Sequence, residues 1–185
     1  VKTQPVNERN AGDAISMAQT AEGALGEISN IVLRMRELAT QGSNGSLQSS
    51  DRDFIQTEFT NLQSEMKRIM TSTRFNGQQL VQSAPREVAF QVGINNANED
   101  RITVTFGGVD LAALCSATTT VSGSAGNARN CLDTIDAGLQ RVSNARARFG
   151  AIMNRLDTTV SNIQTVRLNL SSANSRIRDV DVAQE

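Results

Sequence analysis

The chain has 185 residues with 18 basic and 19 acidic side chains, a formal net charge of -1 and no histidine. Without histidine it lacks the commonest general base and the commonest metal ligand, so the composition argues against an enzyme and against a metal or cofactor site. The charged residues are interspersed, which leaves no basic stripe for a nucleic acid. No apolar run approaches the roughly 20 residues that span a bilayer.

Aromatic side chains make up only 3% of the residues, and tryptophan and tyrosine are absent. A core built from Ala, Leu, Ile, Val and Met suits narrow seams between helices better than a large globular interior. The composition therefore predicts an extended, α-rich protein.

Residues 10–41 carry apolar side chains at alternating spacings of three and four. The nine positions are Ala11, Ala14, Ala18, Ala21, Leu25, Ile28, Val32, Met35 and Ala39. This uninterrupted seam predicts a helix of the coiled-coil type, and the stretch GSNGS at 42–46 predicts its end. Because the first half of the seam is all alanine, a partner helix is expected to approach closely there.

A second helix is predicted from Ser50, with Ser50 as its N-cap and Asp53 as the capping-box partner. Its apolar seam comprises Ile55, Phe59, Leu62, Met66 and Ile69. The helix is expected to stop near Thr73, because Asn76-Gly77 is a turn sequence.

Residues 87–107 change to a period of two. The alternating apolar side chains are Val88, Phe90, Val92 and Ile94 in one run and Ile102, Val104 and Phe106 in the next. A polar stretch at 95–100 separates the runs, so together they predict a β-hairpin with one apolar face. Residues 116–128 are mostly Ser, Thr, Gly, Ala and Asn, a loop composition that predicts an outer tip.

The last element is predicted to be the longest helix. Its heptad-like apolar positions are Leu132, Ile135, Leu139, Val142, Phe149, Met153, Leu156, Val160, Ile163, Leu170 and Ile177. A helix of about 45 residues runs roughly 70 Å, so the other two helices are needed to cover its seam.

These elements predict a mainly α fold with a small β-hairpin, an elongated antiparallel helical bundle or coiled-coil rod of three long helices. Residues 1–107 and 129–185 are assigned to one discontinuous core domain. Residues 108–128 are assigned to a short tip loop between its two parts.

Five sequence blocks, taken in order, resemble bacterial flagellins. They are NAGDAISMAQTAEGAL at 10–25, RMRELA at 34–39, TRFNGQQL at 73–80, FQVG at 90–93, and LSSANSRI at 170–177 followed by Asp179 and Asp181. The first is similar to the family's NDGISxAQTxEGAL signature and the second to its RxRELA motif. Five such blocks in the family's order, over most of the chain, are a specific match.

The resemblance implies a structural subunit of the flagellar filament, serving motility. Such a subunit is secreted through the flagellar export apparatus and lies outside the cell, where its partners are other flagellin subunits. The family's terminal polymerisation helices are expected beyond both ends of residues 1–185, so this segment alone is expected to be monomeric. Two alternatives stay open: a hook-filament junction protein, and a cell-surface adhesin or ligand-binding module on the same coil plan.

Flagellins are also ligands of the innate-immune Toll-like receptor that senses them. The resemblance carries this role to Arg34, Leu38 and Glu58, with Gln41 and Ile55 beside them. Arg34 and Leu38 are one helical turn apart, so they are expected to share a face turned away from the seam. Arg34 would donate forked hydrogen bonds, and Leu38 would fill a pocket. The alternative for Arg34 and Glu58 is an exposed charge or an ion pair between neighbouring helices.

Cys115 and Cys131 flank a stretch of 15 residues. In an extracellular protein, two such cysteines predict a disulfide that closes the tip loop and contributes about 3 kcal/mol. The alternative is two unpaired thiols, and a metal site would need more ligands. The acidic pair Asp133 and Asp136 is expected to serve the opening turns of a helix rather than catalysis.

Overall fold

The computed structural model describes residues 4–182, with side chains described from residue 5 to residue 176. This part of the chain contains three α-helices, α1 (Gln4–Gly42), α2 (Ser49–Ser72) and α3 (Ala125–Val182). Its four strands are β1 (Arg74–Phe75), β2 (Gln78–Gln79), β3 (Arg86–Gln91) and β4 (Arg101–Phe106). Strand β1 pairs with β2, and β3 pairs with β4. The predicted fold class, mainly α with a small hairpin, is confirmed.

The start of α2 differs from the predicted one. The helix begins at Ser49, and its N-cap is Gln48, whose backbone N–H donates to Asp51 Oδ2 at 3.0 Å. The predicted pair of Ser50 and Asp53 is therefore wrong. Asp51 is the acid that stands three residues after the extended cap residue, and so it is the one that can reach back.

The start of α3 is also earlier than predicted, because residues 125–128 are helical and do not belong to a loop. The signal for this start is Ser124, whose hydroxyl accepts from the Asn127 N–H at 3.2 Å. A serine in this position satisfies one of the unpaired N–H groups of the first helical turn.

The chain folds as two compact units. The first comprises the described parts of residues 1–18, 87–104 and 151–185, and the second comprises residues 19–86 and 105–150. The assignment of 1–107 with 129–185 to a core and of 108–128 to a tip stays a prediction. None of the helices in the described part of the chain combines the length and apolar character that a membrane crossing requires.

The seam of α1 is buried throughout. All nine predicted positions are 0% exposed: Ala11, Ala14, Ala18, Ala21, Leu25, Ile28, Val32, Met35 and Ala39. The 3-4 spacing placed these side chains on one face, and each unit covers its part of that face. This prediction is confirmed position by position.

In the second unit, α1 runs antiparallel to both other helices. Arg34 of α1 bonds Glu58 of α2, whereas Gly42, eight residues further along α1, bonds Arg52. Toward α3, Arg36 bonds Asp136, and Glu22 bonds Arg146. In each pairing the residue number rises on one helix as it falls on the other.

The core of the second unit includes side chains outside the helices as well. Phe106, at the end of β4, packs against Phe149 of α3 with ring centroids 5.5 Å apart. Phe59 and Met66 of α2 are 0% exposed, as their seam predicted. Leu62 and Ile69 of the same seam are only half-buried.

In the first unit, the hairpin β3–β4 lies beside the start of α1. Asn10 Nδ2 donates to the Gln91 carbonyl at 2.9 Å. In β4, Ile102 and Val104 are buried and alternate with more exposed neighbours, as predicted. Ile94 was predicted on the same apolar face but is 64% exposed, because it follows the end of β3 and lies in the turn.

The late part of α3 loses its cover. Leu156 and Ile163 are buried, but Val166 and Leu170, which continue the same stripe, are 40% and 41% exposed. The expectation that Leu170 is a covered seam position is wrong, although the helix itself continues to Val182. The side chains of Ile177, Asp179 and Asp181, which belong to the predicted seam and the last sequence block, lie outside the described residues.

Candidate functional site

Arg34 lies between two carboxylates on the surface of the second unit. Its Nε donates to Glu58 Oε1 on α2 at 2.7 Å, and its Nη1 donates to Glu37 Oε2 at 2.8 Å. The side chains of Arg34 and Glu58 are 48% and 46% exposed. The hydrogen bonds to Glu58 and then Glu37 raise the pKa of the Arg34 guanidinium above its ordinary value. The ion pair between helices that the sequence left as an alternative is present.

Leu38 and Ile55 lie in the core and not on this surface. Leu38 is 2% exposed and Ile55 is 8% exposed. The expectation that Leu38 shares the outward face of Arg34 is wrong. Four residues at 3.6 per turn leave Leu38 about 40° nearer the seam of Met35 and Ala39, where its side chain is covered.

Of the predicted receptor residues, Arg34, Gln41 and Glu58 have exposed side chains. Together with Glu37 we call them the Arg34 face. It adjoins a cleft of about 760 Å³ that is lined by Leu33, Arg36, Glu37, Thr40, Gln41, Asn44 and Leu47. The Arg34 face is thus charged and bordered by partly apolar surface.

Sequence reasoning missed Phe54, which is 77% exposed and lies one turn before Glu58 on α2. The available signal was a large apolar residue immediately before the seam position Ile55. An aromatic ring beside an ion pair is a common composition of interface hot spots. Phe54 therefore extends the Arg34 face along α2.

Cys115 and Cys131 are both free thiols in the structure. Cys131 is 3% exposed and lines a cavity of about 530 Å³ between residues 112–120 and α3. Burial raises the pKa of Cys131 to about 11. Burial also raises the pKa of Cys115, and the positive charge of Lys67 on α2 partly offsets this rise. The predicted disulfide is not confirmed and stays a prediction.

The acidic pair on α3 has a different role from the predicted one. Because α3 begins at Ala125, Asp133 and Asp136 lie beyond its opening turns. Asp136 instead accepts from Arg36 Nε at 2.7 Å, an ion pair between α3 and α1. Among the described residues, no group of three or more His, Cys, Asp or Glu side chains is placed to hold a metal ion.

Comparison with known proteins gives the family. The model of the bacterial flagellin N-terminal helical region matches residues 5–84, and the model of the C-terminal helical region matches residues 132–185. The flagellin of Bacillus subtilis is 34% identical over 208 aligned residues, which cover 96% of this chain and 68% of the relative. The chain belongs to the bacterial flagellin family.

Other flagellins agree with this assignment. The flagellin of Halalkalibacterium halodurans is 42% identical over 178 residues, and the match covers 96% of this chain but 65% of that protein's length. The crystal structure of Bacillus cereus flagellin superposes with a TM-score of 0.72 at 32% identity, covering 90% of this chain and 94% of that one. Flagellins are structural proteins and not enzymes, and this chain belongs to their family.

A more distant structure shares the flagellin fold. It comes from Vibrio parahaemolyticus and is described as a flagellar hook-associated protein. The TM-score is 0.76 over 95% of this chain and 91% of that one, but only 15% of residues are identical. At that identity the likeness concerns the fold alone, whereas the flagellin matches concern the sequence as well.

Proposed function

We propose that this chain is the part of a flagellar filament subunit that packs against other flagellin subunits outside the cell, after export through the flagellar secretion apparatus. The observation that carries the proposal is the match to both helical regions of flagellin, in order, with 42% identity to one flagellin over 96% of the chain. The chain spans about two thirds of the length of that relative, 65%, so the activity of the whole protein is inferred here.

The uncovered stripe on α3 supports this role. Ile163 is 7% exposed, but Val166 and Leu170, at the following positions of the same stripe, are about two-fifths exposed at 40% and 41%. Leu168 is 65% exposed as well, but it lies two residues from each of them and so on another side of the helix. Exposed apolar stripes at helical spacing are surfaces on which a further helix packs. Another subunit of the same family supplies such helices.

A chimera tests the filament role. This chain would replace the matching part of the Bacillus subtilis flagellin in cells that lack their own flagellin. We expect long filaments in electron micrographs and restored swimming. The matched control carries Phe149→Asp, which buries a charge against Phe106 and should abolish folding.

Two results would contradict the filament role. One is a chimera that is secreted and helical by circular dichroism but forms no filament. The other is assembly that stops at a short cap on the hook, which would favour the junction protein. Retention of the folded chimera inside the cell would contradict the export step separately.

We infer that the Arg34 face also contributes to recognition by the innate-immune flagellin receptor. Support comes from the exposed guanidinium of Arg34, held by Glu58 and Glu37, and from the neighbouring exposed ring of Phe54. An arginine whose orientation is already fixed loses less conformational freedom when it binds. Leu38 and Ile55 are buried under the Arg34 face, so their role in this proposal is to hold α1 and α2 in position.

Replacing Arg34 and Glu58 together by alanine tests this recognition. We expect at least about tenfold weaker binding to the receptor ectodomain, because the central charged pair of the face is lost. The melting temperature should stay the same, since an exposed ion pair contributes less than about 1 kcal/mol. The matched control replaces Arg68 and Glu65, an exposed pair on α2, and should bind normally. Equal binding by both double variants would refute the assignment.

A further inference from the structure

Residues 109–121, which we call the strap, lie between β4 and α3 and contain neither helix nor strand. The strap nevertheless buries four apolar side chains at 1% exposure or less: Val109, Leu111, Leu114 and Val121. Two of them pack against α3 at Gly138. A Cβ atom added to this glycine would lie 2.2 Å from Leu114 Cδ1 and 3.6 Å from Leu111 Cδ2. The strap is therefore a packed cover of the second unit.

Gln63 of α2 holds the middle of the strap. The side chain is 8% exposed, and its Nε2 faces three strap carbonyls. The distances are 2.7 Å to Leu114 O, 3.2 Å to Ser116 O and 3.3 Å to Thr119 O. The amide has two N–H groups, and the buried Leu114 carbonyl receives the shortest contact, whereas the Ser116 carbonyl also accepts from the Thr119 N–H at 3.1 Å. A buried carbonyl that loses its donor costs free energy, so Gln63 stabilises the strap chiefly at Leu114.

Gln56, two helical turns earlier on α2, holds the end of the strap. Its Oε1 accepts from the Val121 N–H and from the Thr120 hydroxyl, both at 2.8 Å. Near the other end, Arg141 Nη1 of α3 donates to the Asp110 carbonyl at 2.6 Å. The strap is thus attached to two helices through side chains, and at its first residue by the Val109 N–H, which donates to the Gln82 carbonyl at 3.2 Å.

The hydrogen bonds that hold the strap differ from those that hold the helices together. The backbone hydrogen bonds of α2 and α3 are internal to each helix, so none of them breaks if the strap leaves. The strap also contains short-range turns of its own, for example the one in which the Cys115 N–H donates to the Leu111 carbonyl at 3.0 Å. Such bonds are retained when the strap moves as a unit. Segments held in this way open locally at lower free energy than the whole fold.

We propose that the strap is a latched cover that opens as one unit, with Gln63 and Gln56 as its latch, and that opening uncovers Cys131. The cavity that Cys131 lines has Ala112, Ala113 and Ser116 of the strap on its other side. When the latch is closed, Cys131 is shielded from solvent at 3% exposure. Its thiol chemistry is therefore controlled by the strap.

The rate of Cys131 alkylation by iodoacetamide reports on opening. The experiment uses the folded protein with Cys115→Ser, so that a single thiol reacts. We expect Gln63→Leu to accelerate alkylation about tenfold or more and Gln56→Leu to accelerate it less, because Gln63 donates to the buried Leu114 carbonyl in the middle of the strap, whereas the bonds of Gln56 at its end are only part-buried. The matched control is Gln140→Leu on α3. In the described part of the chain, the Gln140 amide donates only to the exposed side chain of Asn144, so this variant should leave the alkylation rate unchanged.

The urea dependence of alkylation separates opening of the strap from unfolding of the chain. Local opening exposes little surface, so the rate should rise with urea much less steeply than the unfolding constant measured by circular dichroism. Equal slopes would show that Cys131 is reached only through global unfolding and would overturn the proposal. So would a Gln63→Leu variant that is alkylated at the rate of the Gln140→Leu control.

Discussion

Arg52 illustrates how a single residue connects two helices. The side chain is 6% exposed, and its guanidinium reaches back to the end of α1. Nε donates to the Gly42 carbonyl at 2.9 Å, and Nη2 donates to the Asn44 carbonyl at 2.8 Å. The last carbonyls of a helix have no partner within the helix and carry its negative dipole end, so a cation there satisfies both needs.

Arg52→Met should lower the free energy of unfolding by about 1–3 kcal/mol, since it leaves the buried Gly42 carbonyl without this donor while keeping most of the apolar stem. Urea titration followed by circular dichroism measures the change. Arg155→Met, at an exposed position of α3, is the control and should shift stability by less than about 0.5 kcal/mol. A stability loss shared equally by both variants would contradict the capping role.

The seam of α1 illustrates what one helix imposes on its neighbours. Its alanine half and its bulky half are equally buried, at 0% exposure for Ala14 and Ala21 as for Ile28 and Met35. Alanine lets a neighbouring element approach closely, and the interior is packed too densely to accept extra methylenes without strain. The size of each seam residue therefore sets the local distance between elements.

Ala21→Leu should destabilise the second unit by about 1–3 kcal/mol through overpacking, although leucine is a good helix former. Thermal unfolding followed by calorimetry measures this loss of stability. Ala147→Leu, on the exposed face of α3, adds the same side chain without burial and serves as the control. If Ala21→Leu were as stable as Ala147→Leu, the close packing of this seam would be refuted.

At the scale of the whole molecule, exposed ion pairs fix register more than they supply stability. In the second unit, Arg146 bonds Glu22 at 2.8 Å with side-chain exposures of 44% and 31%. In the first unit, Arg167 bonds Glu8 at 2.7 Å with exposures of 45% and 27%. Pairs of this kind contribute little free energy each, but a register shifted by one helical turn would separate each arginine from its carboxylate. Apolar burial supplies the stability.

The sequence by itself determined the presence of the three helices, the seam of α1 and the family. The nine-position seam of α1, the turn at Asn76-Gly77 and the alternation of β4 all follow from local spacing, and the structure confirms them. In the turn, Asn76 and Gly77 adopt φ values of 47° and 77°, which few other residues tolerate. Such features depend on neighbours along the chain, so they can be predicted from it.

Only the tertiary structure decided which apolar surfaces are covered. Leu38 lies off the seam yet is buried, Leu170 lies on it yet is 41% exposed, and the strap is packed although it contains neither helix nor strand. Gln63 stands among seam residues of α2 but bonds carbonyls 51 to 56 positions away. Periodicity gives the direction of a side chain from its own helix, whereas burial depends on which distant segments meet there, and those contacts leave no local pattern.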